Sequence, residues 1–192
     1  MMRLQKIRTS KDGFTLVEIA IVMVIIGLLI GGVLKGQAMI QNAKVKRVSK
    51  QADEIRAAVM SFYDKYGMYP GDENIDEIPP GTDNEGNGTG QINPAEQFEV
   101  FQDLQLAGLI SGIYDGTSDL PRHAFGDNVL LSWVNPPGPG TQQHYFRFDN
   151  LPADVCLELD TKFDDSTWDG GSIVGSAAYT IGTTVPYLYI LF

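Results

Sequence analysis

Lys11-Asp12-Gly13-Phe14-Thr15-Leu16-Val17-Glu18-Ile19-Ala20 opens a run that stays apolar as far as Leu34. Residues 14–34 are 21 consecutive positions without Lys, Arg, Asp or Pro, and Glu18 is their only charge. As a helix rising about 1.5 Å per residue, the run is roughly 31 Å long, the thickness of a bilayer's hydrocarbon core. A carboxylate inside such a segment costs about 2.5–3.5 kcal/mol on insertion scales, so its presence asks for a function.

Three readings compete for this segment. A secretory signal peptide fits the basic leader (Arg3, Lys6, Arg8, Lys11), but the run exceeds the usual apolar length and no small-x-small cleavage site follows it. A plain transmembrane anchor fits length and leader and leaves Glu18 unexplained. The third reading joins all the features. Residues 13–34, with the basic leader ahead of Gly-Phe-Thr-Leu-Val-Glu, closely resemble the class III signal of type IV pilins and type II secretion pseudopilins.

That resemblance implies a processing history. A prepilin peptidase would cut between Gly13 and Phe14 and methylate the new amino terminus of Phe14. The resemblance further implies assembly, in which the ammonium of one subunit neutralises Glu18 of a neighbour. A charge that is costly in lipid would then become one half of a pair. Spacing alone leaves the partner open, because Phe14 and Glu18 of one chain lie a single helical turn apart. The implied partners are the peptidase, copies of the chain and other pilin-like subunits, and an inner-membrane assembly platform.

The rest of the 192-residue chain suits one stalk and one small domain. Four segments are expected: a leader over 1–13, a membrane and filament-core helix over 14–34, its amphipathic continuation over 35–66, and an acidic head over 67–192. Residues 1–66 hold 11 basic and 5 acidic side chains, whereas residues 67–192 hold 3 and 19. So acidic a head repels polyanions, which argues against nucleic-acid binding through it. Charge alone orients the membrane segment poorly, since Lys35, Lys44, Lys46, Arg47 and Lys50 follow the run. The prepilin signal tips the balance to a cytoplasmic leader and an exported head.

Val48, Ala52, Ile55, Val59, Phe62 and Tyr66 step by four and three, so one apolar face continues the helix to Tyr66. From Phe14 that makes 53 residues, roughly 80 Å. Gly67 is the expected C-cap, and Pro70 blocks continuation. Gly27, Gly31, Gly32 and Gly36 either weaken the helix or serve as close contacts between packed helices. A Gly/Pro/Asp/Asn-rich loop spans 67–94. A helix is expected over Pro94–Ile110, capped by Asn93, with Phe98, Phe101, Leu104 and Leu109 inward.

Val129–Val134 and His144–Phe148 read as strands around a Pro-Pro-Gly-Pro-Gly loop. Leu151–Phe163 reads as a short helix, with Val155 and Leu159 on a shared face and Cys156 aligned with Phe163. Tyr179–Ile181 and Tyr187–Phe192 read as strands, the last one apolar on both faces and therefore buried. The expected fold class is α+β and pilin-like: a long N-terminal transmembrane helix packed on a small head with an antiparallel sheet. Tyr69–Asn74, Ala107–Ile110 and Leu151–Asp165 also look like the heads of poorly characterised prepilin-type proteins.

The head offers two candidate cation sites. Residues 85–96 read as a twelve-residue calcium loop, with ligands at Glu85, Asn87, Thr89, Gln91 and Glu96. Glu85 and Thr89 depart from the usual ligand types, no entering helix is evident, and Asp72 and Asp83 lie nearby as substitutes. A polar loop leading into a capped helix is the plainer reading. The second candidate is Asp160, Asp164, Asp165 and Asp169, where a solvated turn is the plainer reading. Cys156 is the single cysteine, so no internal disulfide forms, unlike many type IV pilins; a small buried hydrophobe fits it best, ahead of a reactive thiol or an intersubunit bridge.

His123 and His144 lack zinc spacing, and no catalytic motif appears. The chain is expected to be a peptidase substrate and not an enzyme. The leading function is a structural subunit of a type IV pilus-like filament. The alternatives are a pseudopilin of a type II secretion system and, from another class, a membrane-tethered monomeric binding module.

Overall fold

A computed structural model describes residues 13–81, 84–138 and 141–192. The basic residues of the leader, Asp83 and the end of the Pro-rich loop lie outside the described residues. Two compact units emerge, residues 1–42 and residues 43–192.

One helix, α1, runs from Leu16 to Tyr66. Its portion in the first unit is apolar and exposed: Leu16, Val22, Ile26, Leu29 and Val33 all face outward. Long enough and apolar enough to cross a membrane, this portion finds no cover within its own unit. From Val45 onward the same helix becomes part of the head's core. Val45, Val48, Ala52, Ile55, Ala58, Val59 and Phe62 are buried, the face that the four-three spacing marks out. At Gly67 the backbone turns left-handed (φ 78°) and its N–H donates to the Tyr63 carbonyl at 2.7 Å, ending the helix.

The head holds two short helices, α2 (Glu99–Leu106) and α3 (Ala153–Phe163), and four strands. The strands are β1 (Val129–Val134), β2 (Gln143–Pro152), β3 (Ile173–Gly175) and β4 (Thr184–Leu191). They form one antiparallel sheet in the order β1-β2-β4-β3. Val129 pairs with Phe148, Phe146 with Ile190, and Ile190 with Ile173, so one face is lined by large apolar side chains. Val129, Leu131, Phe146, Phe148 and Leu188 on that face join the inner face of α1 in a single core. Arg56 of α1 ties helix to sheet. Its guanidinium donates to the Leu191 carbonyl at 2.9 Å, pairs with Asp53 at 2.7 Å and lies 5.5 Å from the Phe146 ring centre.

Several expectations are corrected. The helix expected from Pro94 starts at Glu99, because 94–98 form successive turns. The N–H of Glu96 bonds the Asn93 carbonyl at 2.9 Å and the N–H of Glu99 bonds the Glu96 carbonyl at 2.9 Å, three-residue bonds that wind too tightly for an α-helix. Phe98 is only half-buried, whereas Phe101 and Leu104 are fully buried. Strand β2 runs on to Pro152, so α3 begins at Ala153 and not Leu151. Phe163 is exposed while Cys156 is buried, so the two do not share the inner face.

Tyr179–Ile181 is not a strand. It turns, with the Thr183 N–H on the Thr180 carbonyl at 3.1 Å, and the extra strand is Ile173–Gly175. Finally, β4 is not buried on both faces. Val185 and Leu188 are buried, but Tyr187 stays open on the outer side, where Arg147 lies over its ring at 4.8 Å.

Candidate functional site

The motif at the start of the chain takes a defined shape. Gly13, Phe14 and Thr15 are non-helical and exposed, so the Gly13–Phe14 peptide bond stands outside regular structure. A Cβ built on Gly13 would meet nothing within 4 Å, so nothing else within the described chain demands a glycine there. Thr15 and Glu18 bond reciprocally. The Thr15 N–H and hydroxyl both donate to Glu18 Oε2 at 2.8 Å, and the Glu18 N–H donates to the Thr15 hydroxyl at 3.2 Å. This is a capping box, with Thr15 as N-cap and Glu18 three residues on. The Thr15-x-x-Glu18 spacing is the sequence signature of this local role, which the assembly role expected of Glu18 does not include.

Glu18 thus has a resting partner in its own chain and remains solvent-facing. The same carboxylate is accessible to a cation approaching from outside. The four glycines that follow, Gly27, Gly31, Gly32 and Gly36, also have open space where a Cβ would be. Their small size is not used within the first unit.

In the head, the loop read as a calcium site is tied by its own hydrogen bonds. Glu96 accepts the Asn93 N–H on Oε2 at 2.8 Å and the Asn87 amide on Oε1. Thr89 donates through N–H and hydroxyl to Asp72 Oδ1 at 2.9 and 3.2 Å, and the Gly90 N–H reaches Asp72 Oδ2 at 2.6 Å. Asp72 and Glu96 are nearly buried, and both their oxygens serve as clasps for the loop. Glu85 and Gln91 are exposed, and the Gln91 carbonyl accepts the Thr89 hydroxyl at 3.4 Å.

Among the described residues, three acids that draw together closely enough to share a cation are Asp160, Asp164 and Asp165, one oxygen of each lying within 4.8 Å of the others. Asp169 is not in the group. Asp160 is fully buried in the last turn of α3. Burial pushes its carboxyl above the usual range; the Tyr179 hydroxyl and the Ser166 N–H pull the other way, and Asp164 and Asp165 raise it further.

Neither histidine belongs to an acidic group of this kind. His144 is buried, accepts the Ile92 N–H at 3.0 Å, and is held down to about 4 by burial. His123 Nε2 bonds the Asp149 carbonyl at 2.7 Å and is likewise lowered by burial. Cys156 is buried and free, its thiol pushed up to about 12, chiefly by burial.

Taken together, the architecture defines a protein with a membrane-competent N-terminal helix that runs on into the core of a small α+β head. Over residues 8–34 the chain matches the prokaryotic N-terminal methylation motif, the prepilin-type signal of type IV pilins and pseudopilins. The matched span contains Gly13, Phe14 and Glu18 and covers the apolar segment to Leu34. No curated protein and no solved structure matches the chain. The motif and the apolar helix support membrane anchoring and a structural, pilin-type part.

Proposed function

We propose that this chain is a structural subunit of a type IV pilus-like filament. The precursor is held in the inner membrane by residues 14–34, with a cytoplasmic leader and an exported head. Prepilin peptidase removes residues 1–13 and methylates Phe14. The mature subunit then enters a filament through α1, alongside copies of itself and other pilin-like subunits on an assembly platform. Its part is structural and not catalytic.

The observation that carries this reading is the coincidence of the methylation motif with an exposed, non-helical Gly13–Phe14 bond directly ahead of the helix. A peptidase needs an accessible peptide free of helical hydrogen bonding, and this one is exposed and outside regular structure. The absence of any steric need for Gly13 among the described residues fits a requirement imposed by another protein. The open space around Gly27, Gly31, Gly32 and Gly36 fits close helix–helix approach between subunits.

In this reading Glu18 changes partner. In the free subunit it caps its own helix through Thr15. In the filament its carboxylate takes the ammonium of a neighbouring Phe14, which lowers the cost of a charge in an apolar core. Mass spectrometry of the native protein tests the scheme. The expected species begins at Phe14 and carries one added methyl group. A native chain intact from Met1, or one trimmed beyond Leu34, overturns it.

A further inference from the structure

We propose that Asn87 is an acceptor for asparagine-linked glycosylation and carries an oligosaccharide on its side-chain nitrogen. The inference rests on the proposed export of the head, because such transfer takes place on the far side of the inner membrane.

The pattern is in the sequence. Glu85-Gly86-Asn87-Gly88-Thr89 contains Asn-x-Thr, with glycine and not proline at the middle position. Of the eight asparagines in the chain, only Asn87 has Ser or Thr two residues on, so the pattern singles out one place. The chemistry needs both groups. An amide nitrogen is a poor nucleophile, because its lone pair is shared with the carbonyl. The transferase grips the hydroxyl two residues on to hold that nitrogen against the sugar. Glu85 adds an acid two residues ahead, the position that bacterial transferases of this kind favour.

The fold presents the pattern at the surface. Glu85, Asn87 and Thr89 are exposed, and residues 84–88 lie outside regular structure. The glycines on either side press against the segment 72–74. A Cβ on Gly86 would lie 2.5 Å from the Asp72 backbone, and one on Gly88 would lie 2.6 Å from Asn74 Nδ2. Their N–H groups donate to the Glu73 and Asp72 carbonyls at 2.6 and 2.7 Å. The backbone is pinned on both sides, and Asn87 is the side chain left standing between two residues that have none. A glycan is bulky and polar, so it needs such an exposed position.

The hydrogen bonds of the loop survive the modification. The Asn87 amide donates one N–H to Glu96 Oε1, and an asparagine amide carries two. Transfer replaces one hydrogen and leaves a secondary amide, whose remaining N–H keeps the bond to Glu96. The Thr89 hydroxyl donates to Asp72 Oδ1 at 3.2 Å, while the Thr89 N–H holds the same oxygen at 2.9 Å. The hydroxyl can therefore turn to a transferase without releasing the loop.

The donor is a polyprenyl-pyrophosphate-linked oligosaccharide. Asn87 Nδ2 attacks the anomeric carbon of its first sugar and forms the C–N bond. The C–O bond to pyrophosphate breaks, its electron pair leaves with the lipid pyrophosphate, and the amide proton passes to a base of the transferase. Nothing is oxidised or reduced.

The test has two arms. Full-length protein from native membranes is digested and mapped by mass spectrometry, with fragmentation that spares side-chain linkages. The expected peptide carries a sugar on the Asn87 nitrogen. Unmodified Asn87 in chains that begin at methylated Phe14 overturns the glycan and leaves the filament reading standing. Chains intact from Met1 count against the filament reading alone. In the second arm, unglycosylated full chain in detergent micelles meets a bacterial asparagine-directed oligosaccharyltransferase and a polyprenyl-pyrophosphate-linked heptasaccharide. A gel shift is expected for the parent and for Thr89→Ser, which keeps the hydroxyl, and is lost in Asn87→Gln and in the near-isosteric Thr89→Val. The proposal is overturned by no transfer to the parent, by transfer that survives Thr89→Val, or by a sugar attached to a hydroxyl instead of the amide.

Discussion

His144 Nε2 accepts the backbone N–H of Ile92 at 3.0 Å, locking a strand of the sheet to the loop that leads into α2. The ring is wedged between aromatic neighbours, with Tyr69 and Trp133 centroids each 4.8 Å away. Only an unprotonated nitrogen accepts such a bond, so the fold requires the neutral imidazole.

This sets a pH dependence. His144 is held near 4, by burial, from an ordinary value of 6.5. In the window between those values the unfolded chain binds a proton that the folded chain refuses. Stability from this group is therefore complete above pH 6.5 and is lost as pH falls towards 4, by roughly 3 kcal/mol. NMR titration of the ring is expected to give a midpoint near 4, and a midpoint above 6 contradicts the assignment.

Glu18 has two roles that separate by substitution. Gln at this position keeps the capping bonds with Thr15 and loses the charge, while Ala loses both. Both variants are expected to be cleaved at Gly13, and both to drop out of filaments by tenfold or more. Filament recovery by Glu18→Gln at the parent level means that capping, and not charge, is what the acid supplies.

Phe62 tests the use of α1 as core. It is fully buried, with the Tyr66 ring centre 4.6 Å away. Phe62→Ala is expected to cost about 3–5 kcal/mol, read by denaturant unfolding of the head. Truncating Val33, exposed in the first unit, leaves that transition unchanged.

Gly71 is constrained by conformation and space together. Its φ is 80°, and a Cβ would lie 2.9 Å from the Glu96 carbonyl oxygen and from Val100 Cγ2. Its N–H also donates to Asp103 Oδ2 at 2.5 Å. Gly71→Ala is expected to lose at least about 1–3 kcal/mol, measured by thermal melting.

Cys156 is expected to be inert. Its thiol is buried and pushed up to about 12, so the thiolate is scarce at neutral pH. Iodoacetamide at pH 8 is expected to label it only after denaturant is added. Rapid labelling of the folded protein, or a disulfide between subunits, refutes this.

The anchor was legible from the chain alone because its logic is local. Apolar length, a glycine, a phenylalanine and one acid lie within a few residues, and the four-three rhythm of Val48 to Phe62 needs only helical geometry. The two central strands were legible for the same reason, since Val129–Val134 and His144–Phe148 are short runs rich in apolar and aromatic residues on either side of a Pro-Gly loop. What the tertiary structure decided was where long-range partners override local preference. Ile173–Gly175 is too short to announce itself and is a strand only because Ile190 and Leu188 lie beside it. Glu96 has the spacing of a calcium ligand, yet its carboxylate is committed to Asn87 and Asn93 once the chain turns. Asp160 is fully buried at the end of α3, a property of packing that no spacing encodes.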